Sequence, residues 1–173
     1  MNAITFDPHS KALPDLVSKL LTARQHSLVL YNKLAALKPF TLAEPVQHLL
    51  RQFRQSLVDY LALGPFELYQ ALEDQPMDSP YRTARDLARR LYAPIARTTQ
   101  VALAFHDRYD SDSSTTDLTE LRQDLSPLGE SLAERIELED RIVAAVDGAT
   151  RPWQSGIPLE LGPVSIAAQP VGS

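Results

Sequence analysis

The chain has 173 residues and a mass of 19.2 kDa, the size of one domain with room for a tail. Its 17 Lys and Arg against 22 Asp and Glu give a net charge of -5 and a pI near 5.3, which argues against binding nucleic acid by neutralising phosphates. Without cysteine there is no disulfide framework, no thiolate zinc site and no cysteine nucleophile, and a reducing compartment is compatible. The charge is uneven: residues 1–109 carry 13 basic and 10 acidic side chains, residues 110–147 three and 11. An acidic excess of that kind suits either a partner with a basic surface or a well-solvated helix face.

Residues 1–11 read as an N-terminal segment, with no apolar run behind basic residues up to Ser18 and no stretch of about 18 apolar residues anywhere in the chain. Neither a signal peptide nor a membrane span is expected, so the protein reads as soluble and cytoplasmic. On a wheel of about 100° per residue, Leu13, Leu16, Val17, Leu20, Arg24, Ser27, Tyr31, Leu34 and Ala35 share one face and predict a first helix. Leu49, Leu50, Phe53, Leu57 and Tyr60 predict a second, which Pro65 should break or bend at Gly64 before a short helix continues from Phe66 to Leu72. Asp78-Ser79-Pro80 separates it from a third, on which Ala84, Leu87, Ala88, Leu91, Ile95, Thr98, Ala102, Phe105 and Tyr109 stack, with Pro94 removing one backbone hydrogen bond inside. Leu118, Leu121, Leu125, Leu128, Leu132, Ile136, Val143 and Val146 predict a fourth, with a kink marked by Ser126-Pro127. The expected fold is all-α, an antiparallel four-helix bundle of kinked helices over 12–148, followed by an irregular Pro/Gly-rich tail over 149–173.

Two charges interrupt the apolar stripes, Arg24 on the first helix and Glu139 on the fourth. A lone buried charge is costly and a paired one tolerable, so the two are expected to form a structural ion pair, joined by Arg135 or Tyr60. Helical bundles that hold two irons use Glu-x-x-His pairs on inward faces, and none occurs here. The nearest approach to a ligand spacing is His106 with Asp110, a single pair at a helix end. Phosphate-binding glycine loops and the GxSxG elbow are also missing, so no metal, no cofactor and no enzymatic activity is expected.

The second helix carries the more informative anomaly. Asp59 and Leu63 lie away from the core stripe, Phe66 falls beside them if the turn continues past Gly64, and Gln52, Gln55 and Gln70 share that side. An aromatic anchor with a polar rim and one charge suits recognition of a partner. The alternative is that the segment after Pro65 folds back and tucks Phe66 into the core.

Phe53-Arg54-Gln55-Ser56-Leu57-Val58-Asp59-Tyr60-Leu61, followed by Gly64, Phe66 and Tyr69, resembles the signature of the regulator of sigma D (Rsd/AlgQ) family. Leu125 to Ile142, reading LSPLGESLAERIELEDRI, resembles that family's LGE-L-ER-LED helix, and Leu30 to Pro39 is similar to a third block. The resemblance implies an all-helical anti-sigma factor that sequesters the primary sigma factor of bacterial RNA polymerase. It implies contact mainly with the domain that reads the −35 promoter element, a helix-turn-helix with a basic DNA-reading face. It places Asp59 and Phe66 at contact positions, around which the wheel sets Leu63, Gln55 and Gln70; with the charge and the lack of an apolar span, the expectation is a monomer or weak homodimer that touches neither nucleic acid nor membrane. The chain departs from the pattern at Lys19-Leu20, where the family has a basic residue and tryptophan, and at Pro65, where it has histidine. The tail from Thr150 has no counterpart in the resemblance. The competing readings are a metal-binding bundle of hemerythrin type and an adaptor for another regulatory protein.

Overall fold

The computed structural model describes residues 8–37, 43–110 and 118–151, all of the regular structure among them helical. Helix α1 spans Pro8–Ala36, α2 Ala43–Leu63, α3 Tyr69–Glu73, α4 Arg82–Arg108 and α5 Leu118–Thr150. Helix α1 thus begins inside the span read as an N-terminal segment, and the tail beyond Arg151 lies outside the described residues.

Helices α2, α4 and α5 bury residues spaced alternately by four and three. On α4 these are Ala84, Ala88, Leu91, Ile95, Thr98, Ala102, Phe105 and Tyr109; on α2 they are Val46, Leu50, Phe53, Leu57 and Tyr60. That spacing keeps one stripe facing its neighbours over several turns. Helix α5 follows the same rule, through Leu121, Leu125, Leu128, Leu132, Arg135, Glu139, Ile142 and Val146. Past Leu132 its buried stripe departs from the expected one by one residue at two positions, where Arg135 and Ile142 are enclosed while Ile136 and Val143 are only half-buried; Glu139 and Val146 are buried as expected. On α1, Ala35 is likewise exposed rather than packed.

The core joins all four long helices. Tyr31, Phe53, Phe105 and Tyr109 form a chain of ring contacts from α1 through α2 to α4, with centroids 4.9 to 5.9 Å apart. Between α1 and α2 the buried Ser27 hydroxyl donates to the Ser56 carbonyl at 2.9 Å and lies 2.7 Å from the Ser56 hydroxyl, so no donor is stranded in this close contact. Between α1 and α5 the Tyr31 hydroxyl donates to the Leu125 carbonyl at 2.7 Å. Gly129 makes this possible, because a Cβ there would sit 2.2 Å from the Tyr31 oxygen. The glycine of the Leu128-Gly129-Glu130 run is thus the seat of a tyrosine from the first helix. At the far end of the α4/α5 contact, Tyr81 and Thr150 bring their hydroxyls within 3.1 Å.

Pro65 bends the winding without ending the helix. Residues Gly64–Leu68 form a π-helical turn in which the Tyr69 N–H reaches back five residues to the Gly64 carbonyl, and α3 continues directly from it. A wider turn accommodates a residue with no N–H to give to the i→i−4 ladder. Gly64 is buried against the Tyr69 ring, where an added Cβ would meet ring atoms at 3.2 Å. After α3 the chain turns through residues 74–81, pinned by Arg85, whose Nη1 donates to the Gln75 carbonyl at 2.8 Å, and by Ser79, which donates to Gln75 Oε1 at 2.8 Å.

Candidate partner-binding face split by helix α2

Helix α2 forms a ridge between two grooves. The first, about 1080 Å³, runs between α1 and α2 and is lined by Gln52, Gln55, Asp59 and Leu63 from α2 and by Lys19, Ala23 and His26 from α1. Asp59 is exposed and accepts a hydrogen bond from Gln55 Nε2 at 3.3 Å, one helical turn away. Leu63 lies on the buried side, 9% exposed, and packs in the core; it is not the exposed anchor expected from the wheel. Lys19 and Glu67 close one side of the groove with a 2.8 Å salt bridge.

The second groove, about 810 Å³, lies between the α2/α3 segment and α4. Its walls are Val58, Leu61, Pro65, Phe66 and Tyr69 on one side and Tyr92 and Leu103 on the other. Phe66 is 79% exposed, so it does not fold back into the core, and Tyr92 at 55% faces the same groove. Gln70 stands on the rim, donating to Asp74 Oδ1 at 3.1 Å, and Glu73 holds Arg89 with two hydrogen bonds of 2.6 and 2.7 Å. The Arg89 guanidinium holds the Glu73 carboxyl below its ordinary range. The patch read as one surface is therefore two: Gln55, Asp59 and Leu63 on one flank of α2, Phe66 and Gln70 on the other, with Ala62 shared at the crest. Tyr92 and Leu103 lie on the flanks of α4, off the stripe that a hydrophobic period selects.

A buried ionic cluster lies in the core and reaches Thr99, on the wall of the second groove, through Arg135. Glu139, 1% exposed, receives the Tyr60 hydroxyl, pairs with Arg135 Nε at 2.8 Å, and has Arg24 Nη2 at 3.8 Å. Arg24 makes its shorter pair with Asp140, 2.6 Å through Nη1, an expected ion pair widened by a half-exposed carboxylate. Arg135, fully enclosed, donates from Nη1 to Thr99 at 2.7 Å and Thr98 at 3.2 Å, and its guanidinium lies 5.4 Å from the Tyr60 ring centre. Burial pushes the Glu139 carboxyl above its ordinary range, with Arg135, Tyr60 and Arg24 pulling against it. Burial also opposes the Arg24 charge, yet Asp140 and the neighbouring acids outweigh it and raise its pKa. Two cations and two carboxylates leave the cluster balanced, a condition under which buried charge is tolerated.

The spacing of His106 and Asp110 belongs to another structure. Arg54 donates from Nε to the His106 carbonyl at 3.1 Å and pairs with Asp110, placing a cation against the last turn of α4. Among the described residues no group of three His, Asp or Glu side chains could hold a metal, and no helix is long and apolar enough to cross a membrane.

Residues 6–147 match the family described as regulator of RNA polymerase sigma(70) subunit, Rsd/AlgQ. The chain belongs to that family. It is 32% identical over 152 residues to the regulator of sigma D of Yersinia enterocolitica, covering 84% of this chain and 86% of the relative. It is 34% identical over 142 residues to the regulator of sigma D of Shigella dysenteriae, covering 79% and 86%. Arg24, Arg135, Glu139 and the face of α2 all lie within the residues that match the family.

Proposed function

We propose that the protein is an anti-sigma factor that binds the primary sigma factor of RNA polymerase, chiefly through its −35-recognition domain, and withholds it from the core enzyme. Binding is stoichiometric, without catalysis or cofactor, in the cytoplasm, by a free protein that is a monomer or weak homodimer. The scaffold is an antiparallel four-helix bundle over 12–148, bent at Pro65, Pro94 and Pro127. Its contact order supports that arrangement: Lys19 with Glu67 and Ser27 with Ser56, Tyr31 with Leu125 and Arg24 with Asp140, Thr98 with Arg135 and Tyr81 with Thr150.

The observation that carries the proposal is Phe66, an aromatic ring 79% exposed on an apolar groove, in a chain of the sigma-regulator family. Exposed aromatics in a groove are the usual anchors of an interface, and an adjacent charge fixes register. Asp59, one ridge away with Gln55 beside it, suits a basic face that otherwise meets DNA phosphate. A partner spanning both grooves would straddle α2, engaging Asp59 on one flank and Phe66 with Gln70 on the other. The acidic stretch 110–147 adds long-range attraction for the same basic domain.

Titration calorimetry with the purified −35-recognition domain tests this. Asp59→Lys and Phe66→Ala should each weaken binding at least tenfold while leaving helical content unchanged, because both side chains are exposed. Wild-type affinity in the folded double variant would remove this face from the interface.

A further inference from the structure

We propose that the buried ionic cluster holds one ordered water between Glu139 Oε2, Arg24 Nη2 and the Tyr69 hydroxyl, and that this water ties the π turn carrying Phe66 to α1 and α5. All three atoms are buried and have no hydrogen-bond partner among the described residues. Two of them face each other. Arg24 Nη2 and Glu139 Oε2 stand 3.8 Å apart, too far for a direct hydrogen bond and a span that a single water closes.

Tyr69 reaches the same place from α3. Its hydroxyl end lies over Gly64, where an added Cβ would meet the ring and its oxygen at 3.2 Å. Gly64 follows Tyr60 by one helical turn on the same face, and the Tyr60 hydroxyl donates to the other Glu139 oxygen. The Tyr69 hydroxyl is thus delivered beside the cluster, where burial first and then the Glu139 charge push its pKa up. A water here accepts from Arg24 Nη2 and Tyr69 and donates to Glu139 Oε2, about three hydrogen bonds, the usual number for an enclosed water. Without it a carboxylate oxygen, a guanidinium nitrogen and a phenol would each be buried unpaired, which folded chains rarely tolerate.

The same tyrosine closes the π turn. Its N–H bonds to the Gly64 carbonyl, so a hold on its side chain is a hold on Gly64–Leu68. Phe66, 79% exposed, has little packing of its own and is positioned by the backbone that carries it. The turn's link to α1 through Lys19 and Glu67 is exposed and screened by solvent, which leaves the enclosed tie as the firmer one. The water and the tether do not depend on the identity of the partner; their effect on affinity rests on the proposed sigma interface.

Tyr69→Phe removes the hydroxyl and keeps the ring. A crystal structure of the wild type should show a water within about 3.2 Å of all three atoms. A Tyr69 hydroxyl bonded directly to Glu139, or no water in reach of all three, would overturn the proposal. In hydrogen exchange followed by NMR, the amides of Glu67, Leu68 and Tyr69 should exchange at least about fivefold faster in Tyr69→Phe, while those of Leu125 and Leu128 on α5 change less than about twofold. Equal acceleration throughout the protein, or an unchanged turn, would overturn the tether. If the freed turn holds Phe66 in place between about a fifth and a half of the time, titration with the −35-recognition domain should read an affinity about two- to fivefold weaker, although the lost hydroxyl is buried. Wild-type affinity alongside a loosened turn would remove the positioning role. A loosened turn with no sigma affinity in either protein would sink the sigma reading and leave the tether in place.

Discussion

Replacing Arg135 by methionine isolates the energetics of the buried ionic cluster. Both Arg135 and Glu139 have fully enclosed side chains, and the 2.8 Å pair between them is the shortest that Glu139 makes with a cation. Removing one partner of a buried pair costs roughly 3–5 kcal/mol, because the other charge is left without compensation. Here the lower end applies, about 3 kcal/mol, since Tyr60 still donates to the carboxylate and Arg24 remains 3.8 Å away. The threonines add little, because Thr98 and Thr99 direct their own hydroxyls to the Ile95 carbonyl and lose only an acceptor role. Burial already raises the Glu139 pKa, and losing Arg135, its largest opposing influence, raises it further. A carboxyl whose folded pKa exceeds its unfolded value binds its proton more tightly in the folded state. Its penalty is therefore absent at low pH and grows as pH rises from the ordinary value of 4.5 through the folded pKa. Urea unfolding followed by circular dichroism should show the loss in full at pH 7 and a smaller one near pH 4.5, with Arg135→Met/Glu139→Gln recovering most of it at pH 7. A loss below about 1 kcal/mol at pH 7, or a double variant no more stable than the single, would refute the reasoning.

Other consequences are simpler. Gly129→Ala should destabilise by about 1–3 kcal/mol in a thermal melt, although alanine is the better helix former, because its Cβ displaces the Tyr31 hydroxyl; Tyr31→Leu added to it should recover part of the loss. Lys19→Ala should change stability by less than about 1 kcal/mol, since its bridge to Glu67 is solvent-exposed, and its effect should shrink further in high salt. Phe66→Ser should leave the melting curve within about 0.5 kcal/mol of wild type, separating any loss of binding from a loss of fold.

The long helices were legible because each carries a largely apolar stripe at helical spacing, and on α4 the stripe from Ala84 to Tyr109 was readable except that Leu87 is only half-buried and Arg85 is enclosed. The α5 stripe drifted from the reading past Leu132 for a physical reason: the buried position there is filled by Arg135, which no hydrophobic pattern selects. Ile136, one residue later, satisfies the pattern while only half-buried. Arg24 and Glu139 were visible as misfits, but Asp140 was not, because an exposed acid on an acidic helix carries no signal of its partner. On the candidate binding face, the pattern set Asp59 off the core stripe and left Phe66 open between exposed and tucked in; it did not show that the α2 ridge separates the two. The wheel assumes one angular step throughout, and the π turn at Gly64–Leu68 changes that step between Leu63, which it leaves buried, and Phe66, which it leaves in the open.

The central claim is sequestration, and it is tested by mixing tagged protein with primary sigma factor and core RNA polymerase and recovering what the tag retains. The account predicts sigma factor in a one-to-one complex, without core subunits, and its loss from the complex when Asp59→Lys and Phe66→Ala are combined. Recovery of the intact holoenzyme, or failure to retain sigma factor at all, would contradict it.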